Sequence, residues 1–226
     1  MYSKFLKYYC LMLISLLFSI QGYCQVNDAG LWMNVGLEKQ LNKKISLLLS
    51  QELRMNENIS EAGTVFTELG GQYKIIKNLS FSASYRFIMK RNLDDSYSKR
   101  HRYMLDLAYK YKFHKFNFSV RERFQNQYSD IYSSSAGAVP ATYLRNKLSL
   151  KYGIRKRIDA YLSGEFFYQL NNPDGNELDN ERFTAGMSYK LNRASDFDVF
   201  YMINKELNVK DPWTSYIIGI GYNYSF

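Results

Sequence analysis

Several residue types are nearly missing from this chain, and each shortage excludes a class of protein. Its two cysteines, Cys10 and Cys24, both fall within the first 24 of 226 residues. Beyond them no thiol remains for a disulfide framework, a zinc site or a cysteine nucleophile. Histidine is limited to His101 and His114, so no His/Cys metal spacing exists and no metal or cofactor is expected. No glycine-rich phosphate loop or nucleophile elbow occurs, and Asn172-Pro173-Asp174-Gly175 reads as turn chemistry rather than a calcium loop. No Pro/Ser-rich linker divides the chain, so its length suits one domain. The one long apolar run, Cys10 to Ile20, is short for a transmembrane helix, and no later segment keeps a helical period.

That run has Lys4 and Lys7 before it and Gly22-Tyr23-Cys24 after it. A positive start, an apolar middle and small residues before Gln25 are the parts of a secretory signal peptide spanning residues 1–24. A lipoprotein signal at Cys24 is the alternative, but Tyr23 stands where that signal wants a small residue. Cleavage removes both cysteines and two lysines, lowering the formal net charge from +9 to +7 and leaving 25–226 as a single domain. The other basic residues are spread through every segment without a recognition motif. This excludes nucleic acid as the expected partner and favours an anionic membrane surface.

What the chain does have is alternation. Aromatics make up 17% of residues while mean hydropathy is only −0.39, as in strands with one apolar and one polar face. In the last stretch Tyr216, Ile218, Ile220, Tyr222, Tyr224 and Phe226 share one face. Ser215, Gly219, Gly221, Asn223 and Ser225 share the other, with Ile217 the apolar intruder. Ten earlier segments repeat the pattern, for example Leu79, Phe81, Ala83, Tyr85, Phe87 and Met89 against Ser80, Ser82, Ser84 and Arg86. Tight turns near 41–43, 76–78, 114–115, 155–157 and 192–194 alternate with longer polar connections at 55–62, 91–100, 129–140, 170–180 and 207–212.

A soluble sandwich also alternates, but three features favour a membrane. The apolar faces run without charge for most of the ~9–11 residues of a tilted membrane strand. Tyr and Phe gather at strand ends, as an aromatic girdle requires, and an export signal precedes the strands. The expected fold is therefore an all-β, closed antiparallel transmembrane β-barrel of about 10–12 strands, with short turns towards the periplasm and long loops outside. Counting segments gives eleven strands, an odd number. Closure between the last strand and Leu31–Gln40 would then have to be parallel, unless a strand is merged or split or the N-terminal residues thread the lumen.

With the apolar face in lipid, the polar face lines the interior. Symmetric hairpins set Asp106 opposite Arg123, Arg123 opposite Arg145, and Arg145 opposite Glu165, with Glu68 opposite Arg86 on the adjoining wall. Such a row can neutralise itself. It reads either as a structural network filling a small barrel or as the constriction of a narrow polar pore. Glu122 and Asn146 break the lipid face opposite each other. A β-bulge near Arg121-Glu122-Arg123 would turn Glu122 inward; a seam between copies is the alternative. Lys90, Arg91, Lys99, Arg100 and Arg102 fall near the outer rim, where lipopolysaccharide phosphates or plain solvent await them.

Catalysis has one weak candidate. His101 lies near the rim, close in sequence to Asp94, Asp95 and Ser96, with Asp130 and Ser133 to Ser135 in the next loop, and a His–carboxylate pair there would act as a general base. His114 reads as a solvated turn residue.

Together, Gly30-Leu31-Trp32, the run Glu38 to Lys44, Glu52-Leu53-Arg54, Arg121-Glu122-Arg123-Phe124, the run Tyr143 to Lys147 and the aromatic C-terminus carry a resemblance. The chain resembles the small outer-membrane barrels of Bacteroidota grouped as domain of unknown function 2490. The resemblance implies location and architecture and brings no catalytic residues. The expected function is an outer-membrane barrel, either a small pore or a structural or surface-interaction barrel, with a rim enzyme using His101 as the alternative. Expected partners are outer-membrane lipid, lipopolysaccharide and the barrel-assembly machinery, to which Tyr222, Tyr224 and Phe226 present a C-terminal signal.

Overall fold

A computed structural model describes residues 26–129, 140–172, 175–209 and 211–226. The signal-peptide segment, Asp130 and Ser133 to Ser135 lie outside these. Strands β1 (Val26–Gln40), β2 (Ile45–Asn56), β3 (Glu61–Ile76), β4 (Leu79–Arg91), β5 (Tyr97–Phe113), β6 (Phe116–Ser129), β7 (Ala141–Arg155), β8 (Ile158–Gln169), β9 (Glu177–Lys190), β10 (Ser195–Glu206) and β11 (Trp213–Ser225) follow in order. Each pairs with its sequence neighbour and β1 pairs with β11, closing a barrel of eleven strands. Successive hairpins reverse direction, so the first and last of an odd set run the same way. Their pairing is parallel, from Val26↔Trp213 to Glu38↔Ser225, and every other neighbouring pair is antiparallel. Beyond the register, Gln40 N donates to Phe226 O at 3.0 Å and Phe226 N to Glu38 O at 2.9 Å, so the end of the chain is fastened to β1.

Alternation decides which side chains meet the interior. Leu69 (59% exposed), Leu148 (56%) and Leu162 (60%) stand bare on the outside, while polar and charged groups such as Ser46, Asp106, Arg123, Gln125, Arg145 and Glu165 are buried inside. The polarity is the inverse of a soluble domain's, and it matches the faces read from the sequence. Apolar residues inside are few: among the described residues Phe66, Ile88, Met104, Phe167, Met202 and Ile217 are the buried ones. Ile217 opposes Met202 across β10 and Gly30 across β1, so the apolar intruder in β11 packs into an inner cluster.

The short-turn end uses compact chemistry. In the Leu41–Lys44 turn, Asn42 Oδ1 accepts the amides of Lys44 and Ile45 at 2.8 and 2.9 Å. Asn192 repeats this with Ala194 and Ser195 at 2.7 and 2.8 Å. Such side-chain bonds mimic a backbone turn. His114 takes positive φ (52°) in the two-residue β5–β6 turn, with its ring against Phe113. At the opposite end two connections are tighter than the sequence suggests. Strands β2 and β3 run on until only 57–60 separate them, and only 92–96 separate β4 from β5. Glu57, Asn58 and Ile59 all take positive φ there, held by Asn58 N to Asp28 Oδ1 (2.8 Å) and Ile59 N to Ala29 O (3.0 Å). In the β8–β9 loop, Gly175 (φ 113°) donates its amide to Asn172 O at 3.1 Å.

Candidate functional site: a basic lumen

Period-two alternation turns one side chain in two inwards, and the inner wall from β2 to β9 is dense with guanidinium groups. Asp106 opposes Arg123, and Arg123 opposes Arg145. Arg123 grips Asp106 with a two-pronged contact, Nε to Oδ1 at 2.6 Å and Nη2 to Oδ2 at 2.7 Å. Arg145 donates to Gln125 Oε1 (2.8 Å) and to Glu165 Oε1 (2.8 Å), where Arg121 also arrives at 2.5 Å. On the adjoining wall Arg86 opposes Glu68 and bonds it through Nε at 2.7 Å and through Nη2.

One expected pairing is displaced. Arg145 stands opposite Phe167, and Lys147 stands opposite Glu165. The β7–β8 hairpin turns at Lys156-Arg157, and after a one-residue register shift Gly153 faces Asp159; counting back from there puts Glu165 two residues beyond its expected partner. Arg145 reaches Glu165 diagonally, with its guanidinium carbon 4.1 Å from the centre of the Phe167 ring. A second expectation is overturned. The registers of β5–β6 and β6–β7 run unbroken through Arg121, Glu122 and Arg123, so there is no bulge and Glu122 stays on the outer face. Asn146 is opposite and donates its Nδ2 to Glu122 Oε2.

Of the expected rim residues, Lys90, Arg91 and Arg100 border the mouth at the loop end. Lys90, Arg100 and Arg102 also line the middle of the lumen, because their even positions put them on the polar face. Lys99 alone of the five stays on the outside. Arg91 is tied into loop carboxylates, Glu57 at 3.1 Å, Glu61 at 3.5 Å and Asp95. His101 points outward into an aromatic cluster. Its Nδ1 is 2.8 Å from Tyr85 Oη, and its ring neighbours Tyr85 and Phe87. Asp94 is engaged within its own loop, accepting Ser96 Oγ–H (2.6 Å) and N–H (3.1 Å), which lowers its carboxyl below its ordinary pKa. At the chain end Tyr222, Tyr224 and Phe226 are exposed, the last with Lys39 Nζ 4.5 Å over its ring.

Three cavities follow one another along the lumen. The mouth at the loop end holds about 840 Å³, the middle about 560 Å³ and the short-turn end about 420 Å³. Arg54 and Arg182 border both the first and second; Glu52, Phe66 and Arg86 border both the second and third. Ten basic residues and four acidic ones line the middle cavity. Arg54, Arg121, Lys147 and Arg182 belong to it, and the sequence reading does not place them in the lumenal charge row. A signal was present: each occupies an inner-face position of its strand, and counting basic residues face by face finds them.

The family described as "Protein of unknown function (DUF2490)" matches residues 29–215. No curated protein is matched by the sequence. Among solved structures, similar ones include a bacterial polysaccharide outer membrane secretin, at 9% identity over 82% of this chain and 74% of that one (TM-score 0.47). The beta domain of the Bordetella autotransporter BrkA has 12% identity over 83% and 86% (0.48). The translocator domain of the autotransporter NalP from Neisseria meningitidis has 11% over 83% and 81% (0.47). Identities this low leave function to the chain's own residues.

Proposed function

The chain belongs to this family of unknown function, DUF2490, and from that premise we propose that it is a Bacteroidota-type outer-membrane barrel acting as a narrow, anion-preferring polar pore. The observation that carries the reading is the inverted polarity: a bare apolar exterior around successive lumenal cavities that share lining residues and whose walls are charged. A continuous apolar surface of this kind is stable in hydrocarbon, and closure leaves no sheet edge unsatisfied there. The signal-like residues 1–24 supply a route of export. The short turns face the periplasm, the loops face outwards to lipopolysaccharide, and Tyr222, Tyr224 and Phe226 engage the barrel-assembly machinery. Selectivity follows the lining charge, which is mostly positive.

The ion pairs that cross strands from β5 to β8 favour a second reading, a sealed structural barrel whose network is its filling. Planar-bilayer recording separates the two. The folded, heat-modifiable protein is expected to give small ohmic steps whose reversal potential in a potassium chloride gradient lies towards the chloride potential. Silence from verified folded protein removes the pore and leaves the sealed barrel. Recovery of the chain as a soluble periplasmic protein removes both. Among the described residues the contacts of His101 are with Tyr85 and Phe87, and they lend the rim-enzyme alternative no support.

A further inference from the structure

The lumen's ion pairs do not use up its cations. Arg102 Nε is bonded to Gln127 Oε1 at 3.0 Å, its Nη2 reaches the same oxygen, and Arg182 Nε is bonded to Asn204 Oδ1 at 2.6 Å. Both partners are neutral amides, and neither guanidinium forms an ion pair among the described residues, although Arg182 stands across from Glu165 and shares the field of Glu52. The buried Nε of Arg100 has no hydrogen-bond partner among the described residues. Lys90 and Lys147, on the same cavity wall, form no ion pair among the described residues. Arg102 moreover sits within the like-charge field of Arg86, Arg54, Arg182 and Arg123.

Aromatic rings hold Arg182 and the neighbouring cations Arg54 and Arg86 in place. The Arg54 guanidinium carbon lies 3.6 Å from the centre of the Trp32 ring, and that of Arg182 lies 5.3 Å from Trp32 and 4.7 Å from Phe167. That of Arg86 lies 3.7 Å from Phe66. A guanidinium stacked on a ring keeps its N–H donors in its own plane, pointing away from the stack. Converging cations withdrawn from bulk water are costly without a counter-charge, and planar forks match a ligand that offers several oxygens. We propose that Arg102 and Arg182, with Arg100 beside them, form a binding site in the middle cavity for a tetrahedral oxyanion of the phosphate class. The site rests on the lumen being accessible to solutes, as the pore reading has it. A free phosphate and the phosphate group of a small organic ester present the same chemistry to it.

The test uses the full folded protein in detergent micelles, titrated calorimetrically with inorganic phosphate and, separately, with glucose 6-phosphate, both against a constant chloride background. Saturable binding of inorganic phosphate is expected, weakened at least tenfold in Arg102→Gln/Arg182→Gln. The conservative Arg102→Lys/Arg182→Lys chain keeps the charge but loses the forks and is expected to fall between. Heat-modifiable mobility verifies each variant's fold first, and the unsubstituted protein decides the matter if a variant does not fold. Tighter binding of the ester identifies an organic phosphate as the ligand; equal binding identifies the free anion. Phosphate bound by a non-conducting barrel keeps this site while the pore reading falls. A conducting barrel with no saturable binding of either compound overturns the site while the pore reading stands.

Discussion

At the scale of single residues, the outward pair Glu122 and Asn146 is the clearest conflict with its surroundings. Both lie near the middle of their strands, on a face otherwise given to Val120, Phe124, Leu144 and Leu148. A carboxylate facing hydrocarbon is disfavoured, and here the Asn146 amide satisfies one of its oxygens. Asn146→Leu removes the donor and strands the acceptor, so it is expected to destabilise the barrel by about 1.5–3 kcal/mol, the worth of a hydrogen bond to a charged group. Adding Glu122→Leu is expected to restore or exceed the original stability, since leucine suits lipid. Urea unfolding in lipid vesicles reads the cycle; additive losses in the double variant would show that the pair does not act as a unit. The same Glu122→Leu chain tests a seam between copies. Loss of a higher-order species in light scattering supports the seam, and equal mass for both chains removes it.

At the scale of strands, most of the architecture was legible because one signal was repeated eleven times. Period two assigns each side chain to lipid or lumen, and it did so correctly even for β11 with its inward Ile217. Register was less legible. It depends on where a turn closes and whether a strand carries an extra residue: the β7–β8 turn at Lys156-Arg157, with a one-residue shift between Gly153 and Arg155, sets Glu165 opposite Lys147 rather than Arg145. Diagonal contacts such as Arg145 to Glu165 depend on side-chain reach, which alternation does not encode. Nor does it encode how bulky residues share the lumen. Phe200 opposes Gly219 across β10–β11, and its ring occupies the space a β-carbon at Gly219 would need; Phe200 also opposes Gly186, over which the Tyr161 ring lies. Aromatic side chains thus cover backbone that glycine leaves open. Gly219→Val is expected to cost about 1–3 kcal/mol through overpacking, and Phe200→Ala in the same chain is expected to recover most of it. A Gly219→Val chain as stable as the original in urea would show that the ring moves aside freely.

At the scale of the whole molecule, the odd strand number has a definite mechanical consequence. The barrel closes through one parallel ladder, the pairing that is slightly less stable per residue, and the same ladder joins the beginning of the folded chain to its end. A strand at the wrong pitch there, or an N-terminus lying in the lumen, would leave β11 with an open edge in lipid, at several kcal/mol for each unsatisfied backbone group. The register puts Met33 opposite Ile220 on the outer face, and Val199 opposite the same Ile220 on the antiparallel side. Both cysteines of the chain, Cys10 and Cys24, precede the first strand at Val26, so engineered thiols would have no competitor within the barrel strands. Directly opposed strand residues lie within the ~4.4–6.8 Å Cα range that a disulfide spans. Met33→Cys/Ile220→Cys is therefore expected to cross-link under mild oxidation of the folded protein and to shift its mobility on non-reducing gels after boiling. Val199→Cys/Ile220→Cys serves as the control for reactivity at position 220. A control that cross-links beside a seam pair that does not would mean that β1 is not the partner of β11, and the eleven-stranded closure would have to be replaced by one in which the N-terminal residues pair elsewhere.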